Sequence, residues 1–382
     1  TIDPSDIAGA ATEIADNAPG ENINDHSAAG TINFTDTDFG SVHTATVTPQ
    51  VNGYVGSFTL GTLDDVNTNV GWSFTVNDSA LDFLAADEQL IQKYDVTIDD
   101  GAGGAAIQTV TITIQGTNDG VTITSGVQAG TVTEDAADTA SSTDTLSVAG
   151  TVAFDDVDLT DGHTASFAQT SGSTTLGTFA LGSVNDDGTS AGSVGWTYDL
   201  NNSLAQYLAA DESVTEVYTI TVTDEAGASI TQDVTITITG TNDGPTIGDV
   251  ADFGFTEAGD ASAQALSSSG NVTFDDIDAT DVVDISFASN NDIVWSGGVI
   301  DSTLASQLVA GFSTGVTDAA APGSTPWSYS VPGADLDFLA AGETITFSYT
   351  LTATDSQSAT ATDTVTITIT GTNDGPTIGD VA

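Results

Sequence analysis

Four sets of oxygen-bearing side chains recur along this 382-residue sequence in the same order. The first is a single glutamate: Glu13 in "ATEIAD", Glu134 in "VTEDAA" and Glu257 in "FTEAGD". The second is an Asp-x-Asp pair: Asp36 and Asp38 in "FTDTD", Asp156 and Asp158 in "FDDVD", Asp276 and Asp278 in "FDDID". The third is a lone aspartate, Asp100, Asp224 or Asp355. The fourth is an Asn-Asp pair: Asn118 and Asp119, Asn242 and Asp243, Asn373 and Asp374. Carboxylates and amide carbonyls are hard ligands, and about six to eight such oxygens make a calcium site. A single Asp-x-Asp is equally well explained as a turn, since Asp, Asn and Gly all favour turns. Four elements repeated in register three times favour calcium over turns alone.

The elements that must place these side chains repeat with them. "VTITITGTNDGPTIGDVA" stands at 234–251 and again at 365–382. Counted back from Gly116, Gly240 and Gly371, a Trp (Trp72, Trp196, Trp327) always lies 44 positions earlier. A Tyr (Tyr94, Tyr218, Tyr349) lies 22 earlier and the lone aspartate 16 earlier. Three units are expected, 1–117, 118–241 and 242–373, with 374–382 opening a further one. Length varies only upstream of the Trp, where loops absorb insertions. The third unit is longest there, over 289–327, and adds Trp295.

"YDVTID", "YTITVTD" and "YTLTATD" alternate as half-buried strands do, as do "TVTITIQG" and "DVTITITG". The link between these two strands reads as a hairpin. "LDFLAADE" and its counterparts read as a helical turn or corner. The Trp residues are expected to anchor the cores, and the Tyr to form a tyrosine corner. Together these features predict an all-β chain of tandem immunoglobulin-like Greek-key sandwiches, about seven short strands in each. In such a sandwich the loop after the second strand and the loop before the last share the pole where the chain arrives. Asn118 and Asp119 are therefore expected to meet Asp156, Asp158 and Asp224, and Asn242 and Asp243 to meet Asp276, Asp278 and Asp355. The early Glu is expected at the opposite pole, beside the outgoing linker. Asp36, Asp38 and Asp100 have no incoming linker, so weak binding or none is expected there.

Composition narrows the function further. Fifty-five acidic residues face one basic residue, Lys93, for a net charge of −54. That excludes nucleic-acid or anionic-membrane binding through a basic patch. All but nine of the acids are Asp, which places the charge on loops. Disorder is not expected, because β-branched and aromatic residues are plentiful and patterned. There is no Cys, so disulfides and thiolate metal sites are excluded and calcium is the expected staple. No apolar run has the length of a transmembrane helix, so no membrane insertion is expected. "TIDPSDIAGA" has neither the basic region nor the apolar core of a signal peptide, and the chain reads as a fragment of something longer. The scarcity of Lys and Arg suits a saline, calcium-rich exterior.

The pattern "F-D-D-x-D … G-W-x-Y/F … L-x-x-L-A-A-x-E … Y-x-x-T-x-x-D … V-T-I-T-I-x-G-T-N-D-G-P" resembles the VCBS repeat of giant bacterial RTX-type surface adhesins, a relative of cadherin-like calcium-binding domains. The resemblance covers all three units. It implies β-sandwiches in tandem arrays, type I secretion to the bacterial cell surface, and a role in attachment or biofilm. It also implies interdomain calcium held by a Glu, an Asp-x-Asp, a linker Asn-Asp and a hairpin Asp, the positions named above. Val121 stands where the other linkers have Pro, and "DSQ" at 355–357 stands where the family has a Gly nearby.

The leading expectation is a monomeric, non-enzymatic extender whose partners are its own neighbouring repeats, stiffened by calcium. The alternative is a module binding a surface glycan or a peptide through the third unit, with Trp295 as a stacking platform; packing under its own loop is the commoner fate of such a Trp. An enzyme is not expected. There is no Cys nucleophile and no phosphate-binding loop, and the acidic pairs sit at turn positions. His43 and His163 occupy equivalent places that the third unit leaves without a His, which reads as surface or strand-edge histidine.

Overall fold

The computed structural model describes residues 2–3, 7–38, 40–136, 146–172, 175–186, 189–259 and 263–376. Residues 377–382, expected to open a further repeat, lie outside the described residues. Strict alternation dictates the architecture: in Ala105–Gln115, Val110, Ile112 and Ile114 are fully buried while the threonines between them stay half-exposed. A strand with one apolar face needs a second sheet to cover it. The chain meets that need three times over, with a separate apolar core for each repeat.

The first sandwich comprises β1 (Ile2–Asp3), β2 (Ala8–Thr12), β3 (Asp25–Phe34), β4 (Thr44–Pro49), β5 (Ser57–Asp64), β6 (Asn69–Asn77), β7 (Gln89–Asp99) and β8 (Ala105–Gln115). One sheet runs β1-β3-β6-β5 and the other β2-β8-β7-β4. The second sandwich, from Thr122–Ile123 to Ser229–Thr239, has the same strand order in both sheets. Among the described residues these two have eight strands each and the third has ten, against an expected seven. The leading segment of each repeat breaks into two pieces that join opposite sheets, as β1 and β2 do. In the third sandwich the long insertion adds short strands and a helix, Ser302–Val309. Asp301 caps that helix by accepting from the Thr303 and Leu304 N–H groups, and Leu304 and Leu308 enter the core.

Each core Trp lies on a glycine of the neighbouring strand. Gly150 pairs with Trp196, and a Cβ there would sit 2.4 Å from the indole; Gly270 and Trp327 repeat the contact. The tyrosines depart from a tyrosine corner. Tyr94 and Tyr218 donate to side chains two residues away, Gln92 and Glu216, and Tyr349 donates to the distant Val309 carbonyl. Those buried partners, absent from a tyrosine corner, redirect the hydroxyls.

The leading Gly of "GTNDG" has a packing reason. A Cβ on Gly240 would meet the Leu208 carbonyl oxygen at 2.0 Å, because the last strand ends pressed against the "LAA" corner. Its N–H donates to the Glu212 carbonyl, as Gly116 does to Glu88 and Gly371 to Glu343.

Candidate metal centres

One feature of the sheet decides where the acids go. The β2–β8 pair is parallel, Thr12 opposite Gln115, so both strands end at the same pole. Thr133 opposite Thr239 and Thr256 opposite Thr370 repeat it. The residue after the early strand thus arrives beside the start of the linker. Glu13 Oε2 accepts from the Thr117 N–H at 2.7 Å. Glu134 Oε2 accepts from Thr241 at 3.0 Å, and Glu257 Oε2 from Thr372 at 2.8 Å. Strands β3 and β7 run the other way and end at the opposite, incoming pole, which places the Asp-x-Asp and the lone Asp together there.

At the first junction the linker meets that pole. The Asp119 N–H donates to Asp158 Oδ2 at 2.8 Å, and Asn118 Nδ2 donates to Asp224 Oδ2 at 3.2 Å. The Asp158 N–H donates to Asp156 Oδ1, a local turn that points the pair at the linker. The second junction repeats these bonds: Asp243 to Asp278 at 2.9 Å, Asn242 to Asp355 at 2.9 Å, Asp278 to Asp276 at 3.1 Å. Asp224 and Asp355 are themselves fixed by the hairpin amides of Ala228 and Ala359. Across the interface, Thr160 donates to Glu88 and the Ala279 N–H to the Tyr207 carbonyl.

A ligand-type residue absent from the sequence expectation joins each group. Asp161 lies with Asp156 and Asp224, and Asp281 with Asp276 and Asp355, their nearest oxygens within 4.8 Å of one another. The signal was available: both stand three residues after the Asp-x-Asp, where the first repeat has Ser41. With its amide oriented to satisfy its neighbours, Gln357 donates to Asp281.

These carboxylates are buried. Asp119, Asp158 and Asp278 are each 2% exposed. Burial pushes Asp158 and Asp278 up to about 7, reinforced by Asp119 and Asp156 in one case and Asp243 and Asp276 in the other. Burial likewise lifts Asp119 and Asp276 to about 6 and Glu13 to about 8. Oxygens of Glu13, Asp158, Asp161, Asp276 and Asp278 are buried without a hydrogen-bond partner. Buried anionic oxygens without donors are costly, and a hard cation is the partner they lack. The donor set, all oxygen, fits calcium.

The other named residues lie apart from these groups. Asp36 and Asp38 are exposed at the incoming pole of the first sandwich, and Asp100 folds onto its own hairpin amides. Asn373 and Asp374 follow the last strand, where Asn373 Nδ2 donates to the Asp374 carbonyl.

Two readings change. The His43 and His163 side chains are buried, 7% and 4% exposed, instead of lying at the surface. His163 sits between Asp156 and Asp186, at 3.0 and 2.7 Å, and His43 between Asp36 and Asp65. In this acid-rich chain the imidazoles serve as local counter-charges. Burial alone would depress His163, but its Asp186 and Asp156 bonds outweigh that and hold it above its usual range. Trp295 packs against the third core, its ring edge-on to Phe338 at 4.8 Å and its N–H donating to Glu343. It does not present an open stacking face like a sugar platform.

No protein-family model and no curated protein matches the chain. Solved structures do align with it. The zebrafish RET cadherin-like domains 1 to 4 share 10% identity over 86% of this chain and 65% of that one, with a TM-score of 0.27. Mouse cadherin-23 EC22-24 shares 13% identity over 98% of each chain, with a TM-score of 0.34. Protocadherin gamma C5 EC1-3 shares 11% identity over 85% of this chain and 88% of that one, with a TM-score of 0.36. Among the described residues no helix is long and apolar enough to cross a membrane.

Proposed function

We propose that this chain is an extender segment of a secreted bacterial surface adhesin, with calcium at its junctions stiffening the array for attachment and biofilm formation. The observation that carries the reading is the pair of buried carboxylate groups at the two junctions, Asp156, Asp161 and Asp224, and Asp276, Asp281 and Asp355. The chain's single Lys or Arg, Lys93, lies on β7 and cannot neutralise both. We take the repeats as 1–117, 118–241 and 242–373, with 374–382 opening another. The junction ligands would be Glu13, Asn118, Asp119, Asp156, Asp158, Asp161 and Asp224, then Glu134, Asn242, Asp243, Asp276, Asp278, Asp281 and Asp355. Glu257, Asn373 and Asp374 would begin a further junction.

Bound calcium would supply positive charge where the chain has almost none. The residues do the rest. The linker Asn-Asp is covalently part of one repeat's exit while its N–H and amide are bonded to the next repeat's carboxylates. Ordering those few residues holds both neighbours, so ligand binding and stiffness are one equilibrium. The role is mechanical and extracellular, without catalysis, and the chain acts as a monomer along its own array.

The test is removal of the ion. A chelator lowers the thermal midpoint and makes the chain more flexible in solution scattering, and calcium restores both. Unchanged melting and scattering under chelation refute the reading.

A further inference from the structure

The outgoing poles of the first two sandwiches are superposable bond for bond, apart from two substitutions. The Ile14 N–H donates to Asp78 Oδ1 at 2.9 Å, and its counterpart Asp135 N–H donates to Asn202 Oδ1 at 2.8 Å. Four residues further on stand Asp82 in the first repeat and Gln206 in the second. Two carboxylates of the first pole are thus amides in the second. Asp78 is met by His26, whose Nε2 lies 2.5 Å from its Oδ1. Asp82 is surrounded by like charge, including Asp78 and Glu21.

The consequence is visible at one atom. Glu134 Oε1 accepts from the Gln206 amide. Its counterpart Glu13 Oε1 is buried without a partner, on a side chain 3% exposed. The charges of Asp119 and Asp158 act on Glu13, and those of Asp16, Asp82 and Glu21 act in turn on Asp119. The third repeat returns to the first pattern: Asp337 replaces Gln206, and Glu257 Oε1 is again buried without a partner.

We propose that the first junction takes an additional divalent cation on the Glu13–Asp82–Asp119 side, and that the Gln206 amide replaces that cation at the second junction. The two junctions then carry unequal calcium loads. This rests on the calcium reading above and adds to it: a neutral amide N–H does for Glu134 what an ion does for Glu13. An oxygen-only donor set selects calcium over softer metals. The second junction is accordingly the less calcium-dependent of the two.

The experiment counts calcium ions on the full chain by native mass spectrometry and equilibrium dialysis. Asp82→Gln is expected to bind one ion fewer than the wild type, and Gln206→Asp one more. Gln206→Asp is also expected to melt lower than wild type in chelator and to recover in calcium, which separates a gained site from a misfolded chain. Should Gln206→Asp fail to fold, Glu13→Gln, expected to lose the same ion as Asp82→Gln, carries the test. Wild-type counts in Asp82→Gln and Gln206→Asp overturn the proposal while leaving the junction reading intact. A wild type that binds no calcium overturns both.

Discussion

Asp278→Asn should change stability in opposite directions with and without calcium. Asp278 is 2% exposed; its Oδ2 accepts from the Asp243 N–H, and its Oδ1 is buried without a partner. Burial, then the charges of Asp243, Asp276 and Asp281, raise its carboxyl from 3.8 to about 7. A raised folded-state value means that its stabilising contribution is present below about 3.8 and is lost as pH rises through about 7. At about pH 8 the calcium-free chain therefore carries the whole cost, on the order of 4 kcal/mol at about 1.4 kcal/mol per pH unit. Asparagine keeps an oxygen for the Asp243 N–H and removes the charge. In chelator the third sandwich should melt higher, by on the order of 5–15 °C. In saturating calcium the variant has lost an anionic ligand and should melt lower than wild type. Circular dichroism melts under both conditions read the two signs directly. A shift in the same direction in both would mean that Asp278 acts only as a hydrogen-bond acceptor, and the cage argument would fail.

Other outcomes follow from the same geometry. The calcium-free wild type should gain stability as pH falls from about 8 to about 5, because Glu13, Asp158, Asp119 and Asp276 all hold raised values; saturating calcium should remove that trend in pH-dependent melts. Gly150→Ala drives a Cβ to 2.4 Å from the Trp196 ring and should cost about 1–3 kcal/mol in denaturant unfolding of the second sandwich. Ser358 holds φ of 76° where Gly103 and Gly227 stand in the other hairpins. Ser358→Gly should therefore leave the fold intact and stabilise it by up to about 1 kcal/mol, measured the same way. Trp295→Ala should leave a glycan-array profile unchanged, since the ring is packed against its own sandwich; loss of a saturable signal would restore the binding-module reading.

Much of the architecture was legible because it rests on period-two alternation and on fixed spacing from the Trp to the linker. The meeting of Asn118 with Asp224 and of Asp119 with Asp158 followed from Greek-key reasoning about poles. Asp161 and Asp281 were overlooked because the first repeat has Ser41 there, and demanding a residue in all three copies discarded a pair present in two. The histidines were misplaced for a related reason. Their burial depends on Asp65 and Asp186, which sit in the loops of variable length, where spacing gives no register. The amide at Gln206 could be interpreted only once its contact with Glu134 was known.

The parallel pairing of the early and last strands also bears on force. In an array pulled from its ends, tension enters each sandwich near β2 and leaves at the end of β8, two adjacent strands running the same way. Load along that pair acts across the rungs of the ladder, so neighbouring hydrogen bonds must yield together instead of opening one at a time. The Glu13 carboxylate, tied to Thr117 at 2.7 Å, clamps the same seam at its loaded end. A tether built this way would resist shear, and its weakest link would be whichever junction has lost its ion.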